Sequence, residues 1–179
     1  MRLGTYLAYG ILAVLSLMLV LAAWVLSPAL AGLSVIFGVD SLPLGLQWFS
    51  TIDDTLDGGQ HQHRDKYPPG ATGFSLWWQR TCWICRNPAQ GFQAYLFGFD
   101  MLDVFKRAQT ETGISGKAPF TRWIVYERIS NGAQFFSYQR NIPLLAGVYI
   151  KLWFGWAGKT SAQRYSLKCV PFSLGRYAT

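Results

Sequence analysis

The sequence predicts a membrane-anchored α+β protein: an N-terminal transmembrane helix, interfacial amphipathic helices, and a small antiparallel β-sheet, a meander, at the C-terminus. Three observations carry that reading. The run from Leu3 to Val39 has no charge, the stretch from Phe74 to Arg86 mixes tryptophan with arginine, and period-two alternation marks the last third of the chain. With 179 residues, there is room for an anchor and one modest domain. The four segments this implies are 1–49 (anchor and exit), 50–73 (polar loop), 74–112 (aromatic interfacial helices) and 113–179 (β domain).

Tyr6 to Leu26 carries no ionisable group except tyrosine, and 21 residues at ~1.5 Å rise cross a ~30 Å hydrocarbon core. A helix closes its own backbone hydrogen bonds, which is why this segment can sit in lipid. Ser27-Pro28 predicts a break, and the remaining AGLSVIFGV is about half a crossing, so a partial return is favoured over a helical hairpin. Ala29-Leu30-Ala31 also matches the small-residue pattern of a signal-peptide cut after Ala31. A retained anchor is preferred, because the apolar core is long for a signal, Arg2 stands alone before it, and a second apolar stretch follows.

Leu42 to Phe49, LPLGLQWF, reads as an exit segment containing Leu44, with Trp48 at headgroup level. Ser50 to Gly73 is polar, with Pro68-Pro69, and reads as a loop. FSLWWQRTCWICR, 74–86, predicts a helix stopped by Asn87-Pro88. Trp77, Trp78, Arg80, Trp83 and Arg86, together with Trp48, are the predicted membrane-interface residues, since rings straddle a bilayer boundary and guanidinium groups snorkel. Gln90 to Lys106 reads as a second amphipathic helix with Asp100 and Asp103 on its polar side.

Beyond Gly113–Gly116 the pattern becomes β. Arg122–Ser130 and Ala133–Arg140 flank Asn131-Gly132, a type I′ hairpin signal. The even positions from Ala146 to Trp156 are apolar, and Tyr165, Leu167 and Cys169 alternate likewise up to Pro171, where the strand is expected to end. Four strands follow from this reading.

The net charge is +7, and the chain after Asp40 holds fifteen Lys/Arg against eight Asp/Glu. Anionic lipid in a bilayer is the simplest partner for that excess. Nucleic acid is disfavoured, because neither an RNP-type motif nor a helix-turn-helix pattern occurs. The flanking Lys/Arg place the C-terminal side in the cytoplasm. Three cysteines argue against a disulfide framework.

No catalytic residue, metal site or cofactor is assigned. Asp53 to Arg64 places Asp and Gly as a calcium loop would, but puts Arg64 where a bidentate Glu belongs. Asp57, His61, His63, Cys82 and Cys85 form the alternative metal set, although a single CxxC inside an aromatic helix is better read as two small side chains facing a neighbour. Nucleophile-elbow, Walker and HExxH patterns are absent from the sequence.

The segments LPLGLQWFSTIDDTLDGG, WWQRTCWICRNPAQGF, GVYIKLWFGWAGK and VPF resemble a family of small proteins of tailed bacteriophages and prophages, a domain of unknown function. The departure is Ile52, where that pattern has proline. The resemblance implies a phage origin and membrane placement, hence the host inner membrane, and carries over no catalytic residue. The expected function is interaction with host envelope components, such as excluding superinfecting phage or modulating a host membrane protein, through a protein partner. A virion structural or assembly role, with the chain in the virion, is the alternative. A metal-dependent hydrolase using Asp57, His61 and His63 is the third reading.

Overall fold

The computed structural model describes residues 3–43, 45–145 and 147–176. Arg2, Leu44 and Ala146 of the sequence reading lie outside the described residues. The chain forms two compact units, Leu15–Leu96 and Met1–Val14 with Phe97–Thr179.

Helix α1 runs unbroken over Leu3–Ile36, correcting the break and partial return expected at Ser27-Pro28. Proline has no N–H for the carbonyl four residues back, and Ser27 Oγ donates to that Trp24 carbonyl at 2.9 Å instead. The acceptor is satisfied, so the ladder resumes. Val39 N, donating to Ser34 O at 2.9 Å, closes the C-terminal end.

In the unit Leu15–Leu96, the C-terminal part of α1 meets α3 (Gly73–Arg86), which ends where Asn87 N bonds Trp83 O and Ile84 O and Pro88 cannot continue the ladder. Leu30 and Ala31 of α1, Ile84 of α3, and Leu42 and Leu56 form the core, with Leu46, Phe49 and Trp77 packed on it. Two indoles tie the helices: Trp24 Nε1 donates to Cys85 O at 3.0 Å and Trp77 Nε1 to Pro28 O at 2.8 Å. The stretch read as a loop contains a short helix, α2 (Gly58–Gln62). Gly58 permits a close approach there, since a Cβ would run into the Trp83 ring and lie 2.6 Å from Asp54 Oδ2.

In the other unit, a six-stranded antiparallel sheet has the order β1-β6-β5-β4-β3-β2. The strands are β1 (Phe99–Asp100), β2 (Val104–Gly113), β3 (Phe120–Arg128), β4 (Gln134–Pro143), β5 (Val148–Lys159) and β6 (Arg164–Arg176). The expected meander is present as β3 to β6, with β2 and β1 added at the edges. The second amphipathic helix expected over 90–106 is replaced by a five-residue π-turn (Phe92–Leu96), β1 and the start of β2. β2 is exposed along nearly its whole length, so neither face shows the alternation by which a strand is recognised.

Two details of the sheet differ from expectation. The β3–β4 connection, residues 129–133, is closed by Arg128 N to Ala133 O at 2.8 Å and Gly132 N to Arg128 O at 2.9 Å. Of Asn131 and Gly132 only Gly132 has a positive φ, 66°, so the turn is not type I′. The cause is Asp103, whose carbonyl and carboxylate take Ile129 N and Ser130 N and Oγ at 2.8–2.9 Å, holding both residues outside the ladder. Pro171 does not end β6: the pairing steps from Lys151↔Ser173 to Trp153↔Val170, and Pro171 sits in the resulting bulge, where no ladder N–H is required. Tyr6 and Tyr9 of α1 pack on this unit, their ring centroids 5.4 and 5.0 Å from Phe136, and Tyr9 Oη donates to Lys168 O at 2.9 Å.

Candidate functional site

The residues singled out by sequence fall into two groups. Trp78 is 54% exposed and Phe74 77%, on the open side of α3. Trp77 and Trp48 are half-buried, and Trp48 packs against Tyr95 and Phe92. Arg86 is exposed and lies 2.6 Å from His63 Nε2. Arg80 and Trp83, however, are turned into the protein, 5% and 3% exposed, which corrects their placement at a lipid boundary. Arg80 lies one helical step from Trp77 and Ile84 and shares their inward face. Its Nε and Nη2 donate to the two Asp57 oxygens at 2.8 and 2.9 Å, and its Nη1 donates to Ser34 Oγ at 3.1 Å and Val39 O at 2.7 Å. One guanidinium thus ties the loop before α2 to the end of α1, with bidentate geometry that a lysine would not reproduce.

The alternative metal set is not brought together. Asp57 is engaged by Arg80, His61 Nδ1 lies 3.1 Å from Asp54 Oδ1, His63 meets Arg86, and Cys85 Sγ is 3.1 Å from Ser27 Oγ. Among the described residues no three His, Cys, Asp or Glu side chains form a metal-ligating group. The set therefore offers no common centre for a metal-bound water, which a hydrolase of that type requires.

A different cluster stands out on the sheet. From Phe97 onward the chain holds eleven Lys/Arg against four Asp/Glu, which accounts for the whole net charge of +7. Two of those carboxylates are in ion pairs: Asp103 with Arg128 at 2.9 Å, and Glu127 with Arg107. Asp100 accepts from Leu102 N and Glu111 from Gln109 Nε2, at 2.8 and 3.0 Å. Arg122, Lys151 and Lys168 have no carboxylate partner among the described residues.

Strand register brings these three cations together. Arg122, Gln139 and Trp153 form one row across β3, β4 and β5, Phe120, Asn141 and Lys151 the next, and Ser137, Gly155 and Lys168 the row on the other side. The Lys151 and Lys168 ammonium groups lie 4.3 and 5.7 Å from the Trp153 ring centroid. Beneath them runs a directed chain of bonds: Arg122 Nη2 donates to Gln139 Oε1 at 3.0 Å, Gln139 Nε2 to Asn141 Oδ1 at 3.4 Å, and Asn141 Nδ2 to Lys117 O at 2.7 Å. Ser137, Gln139 and Asn141 are buried. Burial, followed by the charges of Lys159 and Lys151, pushes the Lys168 ammonium down to about 8, and burial and Arg122 push Lys151 down as well.

A groove of about 880 Å³ in the same unit is lined by Gly4, Thr5, Ala8, Phe135 and Trp156, among others. The charged groups on its wall, Arg107 and Glu127, neutralise each other.

A family model described as a family of unknown function (DUF7338) matches residues 1–174. The chain belongs to that family. No curated protein and no solved structure matches it. In this DUF7338 chain, Arg122, Lys151, Trp153 and Lys168 escaped the sequence reading because they lie on three different strands. The one available signal was Lys151-Leu-Trp153 in an otherwise apolar strand, with Lys168 at a polar position of the next.

Proposed function

We propose that this DUF7338 chain is a membrane protein anchored by α1, and that it acts by binding rather than by catalysis. One observation carries the reading. Leu3, Leu7, Ile11, Val14, Met18, Leu21 and Val25, spaced three and four apart, are all exposed along α1 and form an uncharged apolar stripe. α1 is the one helix among the described residues with the length and composition to cross a membrane, a property that signal sequences share. Retention is favoured because Leu30 and Ala31 are core residues and because Trp24, Ser27 and Pro28 bond α3. The proposed setting is a host inner membrane, with a phage or prophage as the source, the C-terminal side in the cytoplasm, and an envelope component as the partner. The resemblance in four segments and the basic residues that follow α1 support that setting.

Membrane fractionation of the full chain tests this. It is expected in the pellet after alkaline carbonate extraction, with an N-terminal mass that includes residues before Gly32. With the native cysteines replaced, Leu3→Cys and Phe37→Cys are expected to react with an impermeant thiol reagent from opposite sides of sealed vesicles. Release by carbonate, or a chain beginning at Gly32, would overturn the anchor; labelling of both sites from one side would overturn the crossing.

A further inference from the structure

We propose that Arg122, Lys151 and Lys168, set around Trp153 on the sheet, bind a phosphate group, carried by a lipid headgroup or a small phosphate ester. Like charges raise one another's energy, and a fold gains nothing by assembling three in a partly buried place unless an anion offsets them. Arg107 and Arg128 of the same unit, by contrast, have carboxylates beside them. Glu111, opposite Arg122 in the β2–β3 register, is bonded to Gln109 instead. Arg122 Nε is buried and has no hydrogen-bond partner among the described residues. The chain from Arg122 through Gln139 and Asn141 to the Lys117 carbonyl points every donor away from the Arg, so it fixes the guanidinium without neutralising it.

The geometry favours a compact multivalent anion. A phosphate has oxygens to meet donors arriving from three strands, whereas a carboxylate has two in one plane. A single-stranded nucleic acid would need successive ring platforms along a groove, and here one ring, Trp153, serves both lysines.

The test is calorimetric titration of inorganic phosphate into the full chain held in phosphatidylcholine nanodiscs. Saturable binding is expected, weakened about tenfold or more by Lys168→Met and likewise by Lys151→Met, since each removes a charge-assisted bond. Met keeps the length of the stem, and near-UV circular dichroism checks that both variants are folded. Arg140→Gln removes an equal charge from the opposite face of β4 and is expected to leave the affinity unchanged. Repeating the titration in phosphatidylglycerol nanodiscs separates the sources: loss of the added phosphate's binding assigns the site to a headgroup, and unchanged binding assigns it to a free ester. No saturable binding, or an equal loss with Arg140→Gln, would overturn the site in favour of diffuse charge. Tight binding of a short single strand with no response to phosphate would overturn it in favour of nucleic acid.

Discussion

Removing the Asp57 carboxylate would leave the Arg80 guanidinium almost fully buried with only neutral oxygens, Ser34 Oγ and Val39 O, as partners. An uncompensated buried charge of this kind costs about 3–5 kcal/mol. Asp57→Ala is therefore expected to lower stability by about 3 kcal/mol in thermal melts of detergent-purified protein. Arg80→Met combined with Asp57→Asn is expected to cost less than Asp57→Ala alone; a double variant that lost as much as both single losses together would show that the pair is not coupled. Lys168 presents the opposite case, a charge the fold tolerates at a cost. Its ordinary value of 10.5 falls to about 8 in the folded protein. Between those values the unfolded chain holds a proton that the folded chain has released, so stability rises with pH from about 8 to 10.5, and the full cost of the charged form is present below 8. The groups facing Lys168 are Lys151 and Lys159 of β5, Arg122 of β3 beyond Lys151, the Trp153 ring, and the Tyr9 hydroxyl of α1 on its carbonyl. The charged groups among them are all cations, so the sign holds. Lys168→Met is expected to stabilise the protein by on the order of 2 kcal/mol at pH 7, with the gain fading as pH approaches 10.5 in melts across that range. Arg80 and Lys168 were both illegible in the sequence for one reason: whether a cation faces lipid, a carboxylate or other cations is decided by residues 23 and 17 positions away, Asp57 and Lys151.

Among the elements, legibility followed how much of the physics is local. The long apolar N-terminal helix was readable because an uncharged run of that length needs no partner to announce itself, and the β3–β4 hairpin because Asn131-Gly132 breaks two alternating runs. The continuation of α1 through Pro28 rests on one hydroxyl in the right rotamer, and the passage of β6 through Pro171 rests on a bulge opposite β5; a rule about proline alone misses both. β2 was hidden because an exposed edge strand has no buried face to pattern. The stripe on α1 gives a test at this scale. Met18→Lys, near the middle of the stripe, is expected to cost about 2.5–3.5 kcal/mol of insertion and to move protein from the carbonate-resistant pellet to the supernatant. Ile36→Lys, at the helix end, is expected to change the distribution far less because a lysine there can snorkel. Equal effects at the two positions would mean that the stripe packs on protein, in which case a second copy of the chain would be the first partner to seek.

At the scale of the whole molecule, α1 contributes side chains to both cores. In one unit Tyr6 and Tyr9 cover Phe136 and Trp156 of the sheet. In the other, Leu30 and Ala31 complete the cluster with Leu42, Leu56 and Ile84, while Trp24 Nε1 and the Pro28 carbonyl hold α3. Burying a single large apolar side chain is worth about 1.5–3 kcal/mol, and a domain is stable by only about 5–15 kcal/mol. A chain reduced to residues 32–179 loses several such contributions from each unit at once. It also exposes Phe136, Trp156 and Ile84, which are buried in the full chain. The truncated chain is therefore expected to lose its near-UV circular dichroism and any cooperative thermal transition, while the full chain in detergent keeps both. Far-UV signal surviving without near-UV signal would mean that the strands persist but side-chain packing is gone, as in a molten state. A truncated chain that melted cooperatively at the temperature of the full chain would show instead that both cores close without α1. Processing after Ala31 would then leave a folded product, and the case for a retained anchor would rest on membrane fractionation alone.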